Sequence, residues 1–332
     1  MSLKIPKVLF LFVAFSFFTE MAIGIFFSIY HNNPTNTKIK VKIDIAQKSN
    51  LQSELLVFAG SEGAMGIDGN LLEKLTGRRC FNFALIGDAT LAGEYFLFEE
   101  YLHHNSPPKY LLLVNSYSVW VRDFGYSSVA DTLTINFPAQ TARYFGSSVF
   151  TRLLPSQRYR YEIRALLRSR DWGAYLSGLR DKSARIKDDL LRHKGSVLFD
   201  ENVPGDIRED IKAQEEFIKN NTFFVTALNR YGLENFFRKA REKGITVFVS
   251  FGPIEKEFID HYGDRPYIAA YRSFMRDLPL RYPGVILLND DFFAVGEDYL
   301  ARGIVHINAR GAQEFTRWIA DGILKQAGRE KK

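Results

Sequence analysis

Leu55-Leu56-Val57-Phe58-Ala59-Gly60-Ser61-Glu62-Gly63-Ala64-Met65-Gly66 is the stretch that decides how this chain is read. Leu55–Phe58 is a short continuous apolar run of the length of a strand buried on both faces, and a glycine-serine turn follows it at once. Four more runs of the same kind, Cys80–Leu85, Tyr110–Val114, Thr246–Ser250 and Val285–Leu288, punctuate the chain. Between and after them lie segments of helical period, among them Leu91–His103, Phe224–Lys243 and Ala312–Lys325. Strands alternating with helices predict an α/β domain of three layers, with a mainly parallel five-stranded sheet covered on both faces.

The composition is consistent with that reading and removes other classes. The chain has 332 residues, 46% hydrophobic and 25% charged, which excludes disorder, collagen and coiled coil. The net charge of +6 is modest for this length, so a dedicated nucleic-acid binder is not expected. A single cysteine, Cys80, permits neither an internal disulfide nor a cysteine zinc cluster. No H-E-x-x-H, Walker loop or G-x-G-x-x-G occurs, so neither a metal nor a cofactor is expected.

Outside the α/β pattern, residues 8–30 carry one ionisable group, Glu20, over roughly 23 positions, about 34 Å of helix, which predicts a single N-terminal transmembrane anchor over residues 1–30. A cleaved signal peptide ending near Ala22-Ile23-Gly24 is the rival reading, opposed by the apolar run continuing through Phe27. Lys4 and Lys7 precede the span and place the N-terminus in the cytoplasm, with the C-terminal domain extracytoplasmic at the inner or cytoplasmic membrane. A carboxylate within such a span is costly, so Glu20 either is tolerated beside Ser16 and Thr19 or faces a partner membrane protein. Residues 31–53 read as a polar linker ending in an edge strand, from the alternation Lys38-Ile39-Lys40-Val41-Lys42-Ile43.

The interval between the third and fourth strands is too long for one crossover, so an inserted helical subdomain is expected over about 125–215 within a domain of 54–327. Its segment Thr151–Lys194 holds 12 Lys and Arg against 5 Asp and Glu, interleaved with Tyr159, Tyr161, Trp172 and Tyr175. That combination suits an anionic glycan or the phosphate surface of a bilayer, or else a solvated helical face.

In an open parallel sheet, ligands bind beyond the carboxyl ends of the strands. Ser61 follows the first strand on a glycine-flanked turn that would present its hydroxyl above the sheet. His306, in Val305-His306-Ile307-Asn308-Ala309-Arg310-Gly311-Ala312, precedes the last helix and is placed to reach back across the sheet to that serine. His103 and His104 read as the C-terminal turn of a helix, and Arg122 as a residue of the cleft mouth or of a surface ion pair.

Three segments carry a family resemblance: Ala59-Gly60-Ser61-Glu62 with Gly66-Ile67-Asp68, Leu75–Arg78 through Phe81–Gly87, and Val305-His306-Ile307-Asn308 with Gly311-Ala312. With these blocks the chain resembles the SGNH (GDSL-like) hydrolases, a flavodoxin-like superfamily. The likeness is to its membrane-anchored bacterial branch associated with acylation of polysaccharides and teichoic acids, and it covers roughly 55–123 and 221–323. It implies Ser61 as nucleophile and His306 as general base. The oxyanion would be held by the N–H groups of Ser61 and Gly87 and by Asn115, which follows the third strand. The family places an aspartate three residues before the histidine, and Gly303 stands there instead. Asp290, Asp291, Glu297 and Asp298 are the nearby acids, of which Asp298 is taken as the orienting one; a Ser–His dyad is the alternative.

The expected function is an O-acyl, in the first instance acetyl, transferase or esterase on a cell-envelope polysaccharide, working through a serine acyl-enzyme. The resemblance implies a membrane-bound O-acyltransferase as partner. A catalytically degenerate accessory or glycan-binding protein is the alternative from another class, and lipase or thioesterase action is a third.

Overall fold

A computed structural model describes residues 7–30, 34–48, 51–85, 89–123, 132–134, 136–145, 154, 156, 160–169, 171–199, 207–301 and 303–329. The chain divides into two units, Met1–Thr37 with Tyr126–Lys187, and Lys38–Gly125 with Asp188–Lys332.

The larger unit is the α/β domain. Its strands β1 (Leu55–Ala59), β2 (Cys80–Asn82), β3 (Tyr110–Val114), β4 (Thr246–Ser250) and β6 (Val285–Leu287) form one sheet in the order β2-β1-β3-β4-β6, every pairing parallel. Leu55 is in register with both Cys80 and Tyr110, and Tyr110 with Thr246, so the carboxyl ends of the central strands share one edge. A short parallel pair, β5 (Pro253–Glu255) with β7 (Phe293–Val295), lies outside this sheet, and helices α11 (Lys256–Tyr262) and α12 (Pro266–Arg281) follow β5 in the chain. Each strand of the pair has only three residues, too few for a periodic pattern.

Period-two geometry sorts the side chains of β1 between two cores. Leu55, Val57 and Ala59 pack with residues of helices α3 (Ser61–Gly66), α4 (Gly69–Thr76) and α13 (Ala309–Arg329), notably Leu72, Phe315, Ile319 and Ile323. Phe58 points the other way, its ring 5.6 Å from Phe98 of α5 (Thr90–His104) and 5.2 Å from Phe236 of α10 (Ala227–Glu242). Burial on both faces explains why the strands read as unbroken apolar runs. β2 is shorter than expected, yet Phe83 N–H donates to Val57 O at 2.7 Å and Leu85 N–H to Ala59 O at 2.8 Å, which carries the chain on beside β1.

Where an edge strand is expected, Pro34–Ala46 is helix α2. Ile39, Lys42, Ile43 and Ala46 are buried at spacings of three and four, so the alternation of Lys and Ile also satisfies a helical face. Lys42 donates to Ala84 O, and burial pushes its ammonium down to about 7. Cys80 is buried, its thiol donating to Gly69 O at 2.8 Å. His103 and His104 end α5, as the sequence predicts.

The smaller unit holds α1 (Lys7–Tyr30), α6 (Pro138–Phe145), α7 (Arg160–Arg168) and most of α8 (Trp172–Arg192). Ile163 and Leu166 pack with Ile23 and Phe26. The Glu20 carboxylate accepts the backbone N–H of Ser156 at 2.8 Å and also the Ser156 hydroxyl. Side chains in α1 are described over 11–26, and among the described residues no helix is long and apolar enough to cross a membrane. Trp172 is half exposed; Tyr159 and the side chains of Tyr161 and Tyr175 lie outside the described residues.

Candidate functional site

The hydroxyl of Ser61 and Nε2 of His306 are 2.8 Å apart at the carboxyl edge of the sheet. Each is brought there by its own local structure. Ser61 opens α3 directly after β1, with Gly60 at the N-cap. A Cβ on Gly63 would stand 2.2 Å from that of Ala59, so only glycine allows α3 to turn back this closely over its strand. Two buried asparagines hold the turn. Asn82 Nδ2 donates to Gly63 O and Ile67 O at 3.0 and 3.1 Å, and Asn115 Oδ1 accepts Gly60 N–H at 3.1 Å.

His306 is delivered by the approach to α13. Asn308 Oδ1 accepts Gly311 N–H at 3.0 Å in the manner of an N-cap, and Asn308 N–H donates to Tyr299 O at 2.8 Å. Ala301 N–H donates to His306 O at 2.8 Å, and Leu300 bridges Ile307. The packing of Ile307, and of Phe315 and Ile319 from α13, against α3 and α4 therefore sets the serine-histidine distance.

The pair opens into a cavity of about 620 Å³, whose wall includes Met65, Ser116, Tyr117, Ser118, Arg122, Phe199, Glu209, Asp210, Gln214, Gly303 and Val305. Helix α9 (Ile207–Asn220) supplies Glu209, Asp210 and Gln214, and the Tyr117 hydroxyl donates to Gln214 Oε1 at 2.8 Å. Arg122 donates to Ser118 Oγ at 3.2 Å and lines the cavity, the first of the two roles open to it.

Beneath the serine turn lie two buried carboxyls. Glu62 accepts Ser116 N–H, and Glu94 accepts from Asn115 Nδ2 at 3.3 Å. Burial raises the pKa of both, against backbone donors and the Arg122 charge at Glu62. At Glu94 the Glu62 charge adds to burial, and its carboxyl is held well above the usual range.

Two of the five expected site residues, Ser61 and His306, meet. Asn115 is 2% exposed and is not part of the cavity wall: β3 ends in register with β1, which sets Asn115 beside Gly60 with its amide between Gly60 and Glu94. Asp298 is displaced as well. Its carboxylate is 63% exposed and pairs with Arg310 at 3.4 Å outside the cavity wall, while its main-chain carbonyl accepts from Asn308. Asp291 pairs with Arg272 at 2.8 Å. Gly87 lies outside the described residues, two positions after Leu85 is set beside the end of β1. The expected helical insertion, about 125–215, takes in the first part of α9, but none of the helix's cavity residues was expected; its amphipathic run Ile207-Arg208-Glu209-Asp210-Ile211 was the available signal. Among the described residues no cluster of three or more His, Cys, Asp or Glu is placed to hold a metal.

A hydroxyl hydrogen-bonded to an imidazole in a half-open cavity is an arrangement for nucleophilic attack on an electrophilic carbonyl or phosphoryl centre. No family model matches the chain, and no curated protein matches it.

Proposed function

We propose that this chain is an SGNH-like serine acyltransferase or esterase, tethered to the membrane by α1, which moves an O-acyl group, in the first instance acetyl, on a cell-envelope glycan. The observation that carries the reading is the 2.8 Å contact between Ser61 Oγ and His306 Nε2 at the cavity. In the first half-reaction Ser61 Oγ attacks the acyl carbonyl carbon while its proton passes to His306 Nε2. The tetrahedral intermediate then expels the alkoxide, which takes that proton, and leaves the acyl group on Ser61. A sugar hydroxyl or water, deprotonated by His306, then attacks the ester carbonyl, and Ser61 Oγ leaves and takes that proton back from His306.

Ser116, Ser118, Arg122 and Gln214 in the cavity wall offer hydrogen-bonding partners to a polar acyl carrier. Support for the anchor comes from the exposed Leu11, Phe12, Phe15, Phe17 and Phe18 of α1, which water would solvate poorly and lipid would cover. The extracytoplasmic orientation and a membrane-bound O-acyltransferase as acyl donor belong to the same proposal.

The test is intact mass spectrometry of the full chain in detergent after exposure to an activated acetyl ester. One acetyl on the wild type, absent from Ser61→Ala and strongly reduced in His306→Ala, is the expected result. Equal acetylation of wild type and Ser61→Ala would sink the reading.

A further inference from the structure

Asp210, in the first turn of α9, stands where the histidine loop has no acid of its own. Its Oδ2 accepts the backbone N–H of Ile304 at 2.8 Å, two residues before His306. Gly303, the residue between the described gap and Ile304, has φ +71°, and a Cβ built there would meet Asp210 Oδ2 at 2.8 Å and Cγ at 3.2 Å. The carboxylate thus fills the space that a side chain at 303 would enter. Gly303 and Asp210 both line the cavity that holds Ser61 and His306. The loop is also held through its main chain and Asn308: Glu255 N–H donates to Ile304 O at 2.8 Å, Ala301 N–H to His306 O, and Asn308 Nδ2 to Asp298 O.

We infer that Asp210 is a positioning residue for His306, reaching across from α9 to clamp the 303–304 peptide, and that Gly303 is required to admit it. In this arrangement the glycine is not a lost acid. It is one half of a contact whose other half is carried nearly a hundred residues earlier in the chain, and the helix that forms the cavity wall also sets the histidine. A charge-assisted hydrogen bond from a backbone N–H to a carboxylate is among the stronger single contacts available for fixing a loop. Displacement of a catalytic base by about an ångström is enough to slow a reaction by about 100-fold.

This inference rests on the proposed role of Ser61, and the experiment separates the two. The probe is an alkyl fluorophosphonate, which a nucleophilic serine attacks at phosphorus with loss of fluoride. Labelling rates of the full chain are compared with amide hydrogen exchange in the segment around Ile304. Asp210→Ala is expected to label about 10- to 100-fold more slowly, with faster exchange confined to that segment. Asp210→Asn, which keeps an oxygen acceptor, is expected to label within a few-fold of wild type. Gly303→Asp, the change that restores an acid before the histidine, is expected to slow labelling, because the new side chain runs into Asp210. Asp210→Ser is read in the same way should the alanine variant not fold. Wild-type labelling of Asp210→Ala, or faster labelling of Gly303→Asp, overturns the inference alone. A wild type labelled no faster than Ser61→Ala overturns the nucleophile and the inference together. A general rise in exchange across the domain with no rescue by asparagine would mark Asp210 as merely structural and overturn it too.

Discussion

Ser61 Oγ and His306 Nε2 lie 2.8 Å apart although 245 positions separate them in the chain. Neither residue sits on a strand. Ser61 depends on the fit of α3 over β1, and His306 on the packing of α13 against α3 and α4, so the pair reports on the seating of two helices at one edge of the sheet.

That dependence makes Gly63 a sensitive position. Gly63→Ala places a methyl 2.2 Å from Ala59 Cβ, and α3 has to lift to accept it. The expected cost is about 1–3 kcal/mol in urea denaturation, with serine labelling lost to a greater degree than stability. A variant with unchanged midpoint and labelling would show that α3 tolerates a wider seat.

The buried carboxyl beneath the turn gives a pH signature. Burial raises Glu94 in the folded state well above its ordinary range, so the folded protein retains this proton to higher pH than the unfolded chain does. Its contribution to stability is complete below the unfolded value and falls as pH rises toward the folded one, by up to about 1.4 kcal/mol per pH unit. Glu94→Gln offers Asn115 Nδ2 an acceptor that never ionises. Chemical denaturation at a series of pH values is expected to show the variant gaining on wild type as pH rises above about 4.5, and a constant difference would refute it.

Lys42 gives a signature of the opposite sign in the wild type, at higher pH. Its folded value is pushed down to about 7 from an ordinary 10.5. Above the unfolded value both states are neutral, and as pH falls through this window the folded state loses stability until the penalty is complete below about 7. Stability therefore rises with pH between the two values. Lys42→Met removes the titration, so its advantage of a few kcal/mol at pH 6 should shrink steadily toward pH 10. An advantage independent of pH would mean that the amine escapes to water.

Asn229 tests how the cavity wall is tied to the sheet. Fully buried in α10, it offers Nδ2 to the carbonyls of Val119, Trp120 and Arg122 at 2.9, 3.0 and 2.8 Å and accepts Leu91 N–H on Oδ1 at 2.9 Å. Asn229→Leu leaves those groups without their partner and is expected to cost about 2–4 kcal/mol in thermal or urea unfolding. Loss of less than about half a kcal/mol would mean that water or a shifted backbone replaces the amide.

What the sequence by itself determined was the α/β class, the five strands and three main helices, and the serine and histidine that converge. These follow from local signals: unbroken apolar runs for strands buried on both faces, helical period between them, and glycine-bearing turns at the strand ends. Lys38–Ile43 was ambiguous for a physical reason, since Lys-Ile alternation fits a strand face and, at spacings of three and four, a helix face too. Burial of Ile39, Lys42 and Ile43 against the domain settled it as helix. Proximity in the chain pointed to Asp298 as the acid, but the tertiary structure turns that carboxylate out to Arg310 and brings Asp210 in from α9. Asn115 was legible as a residue at a strand end, yet the register of β3 with β1 sets it beside Gly60, whose N–H its amide oxygen accepts. Which acid faces a loop and which amide faces a cavity are set by how separate elements stack, and stacking is decided by contacts between residues far apart in the chain.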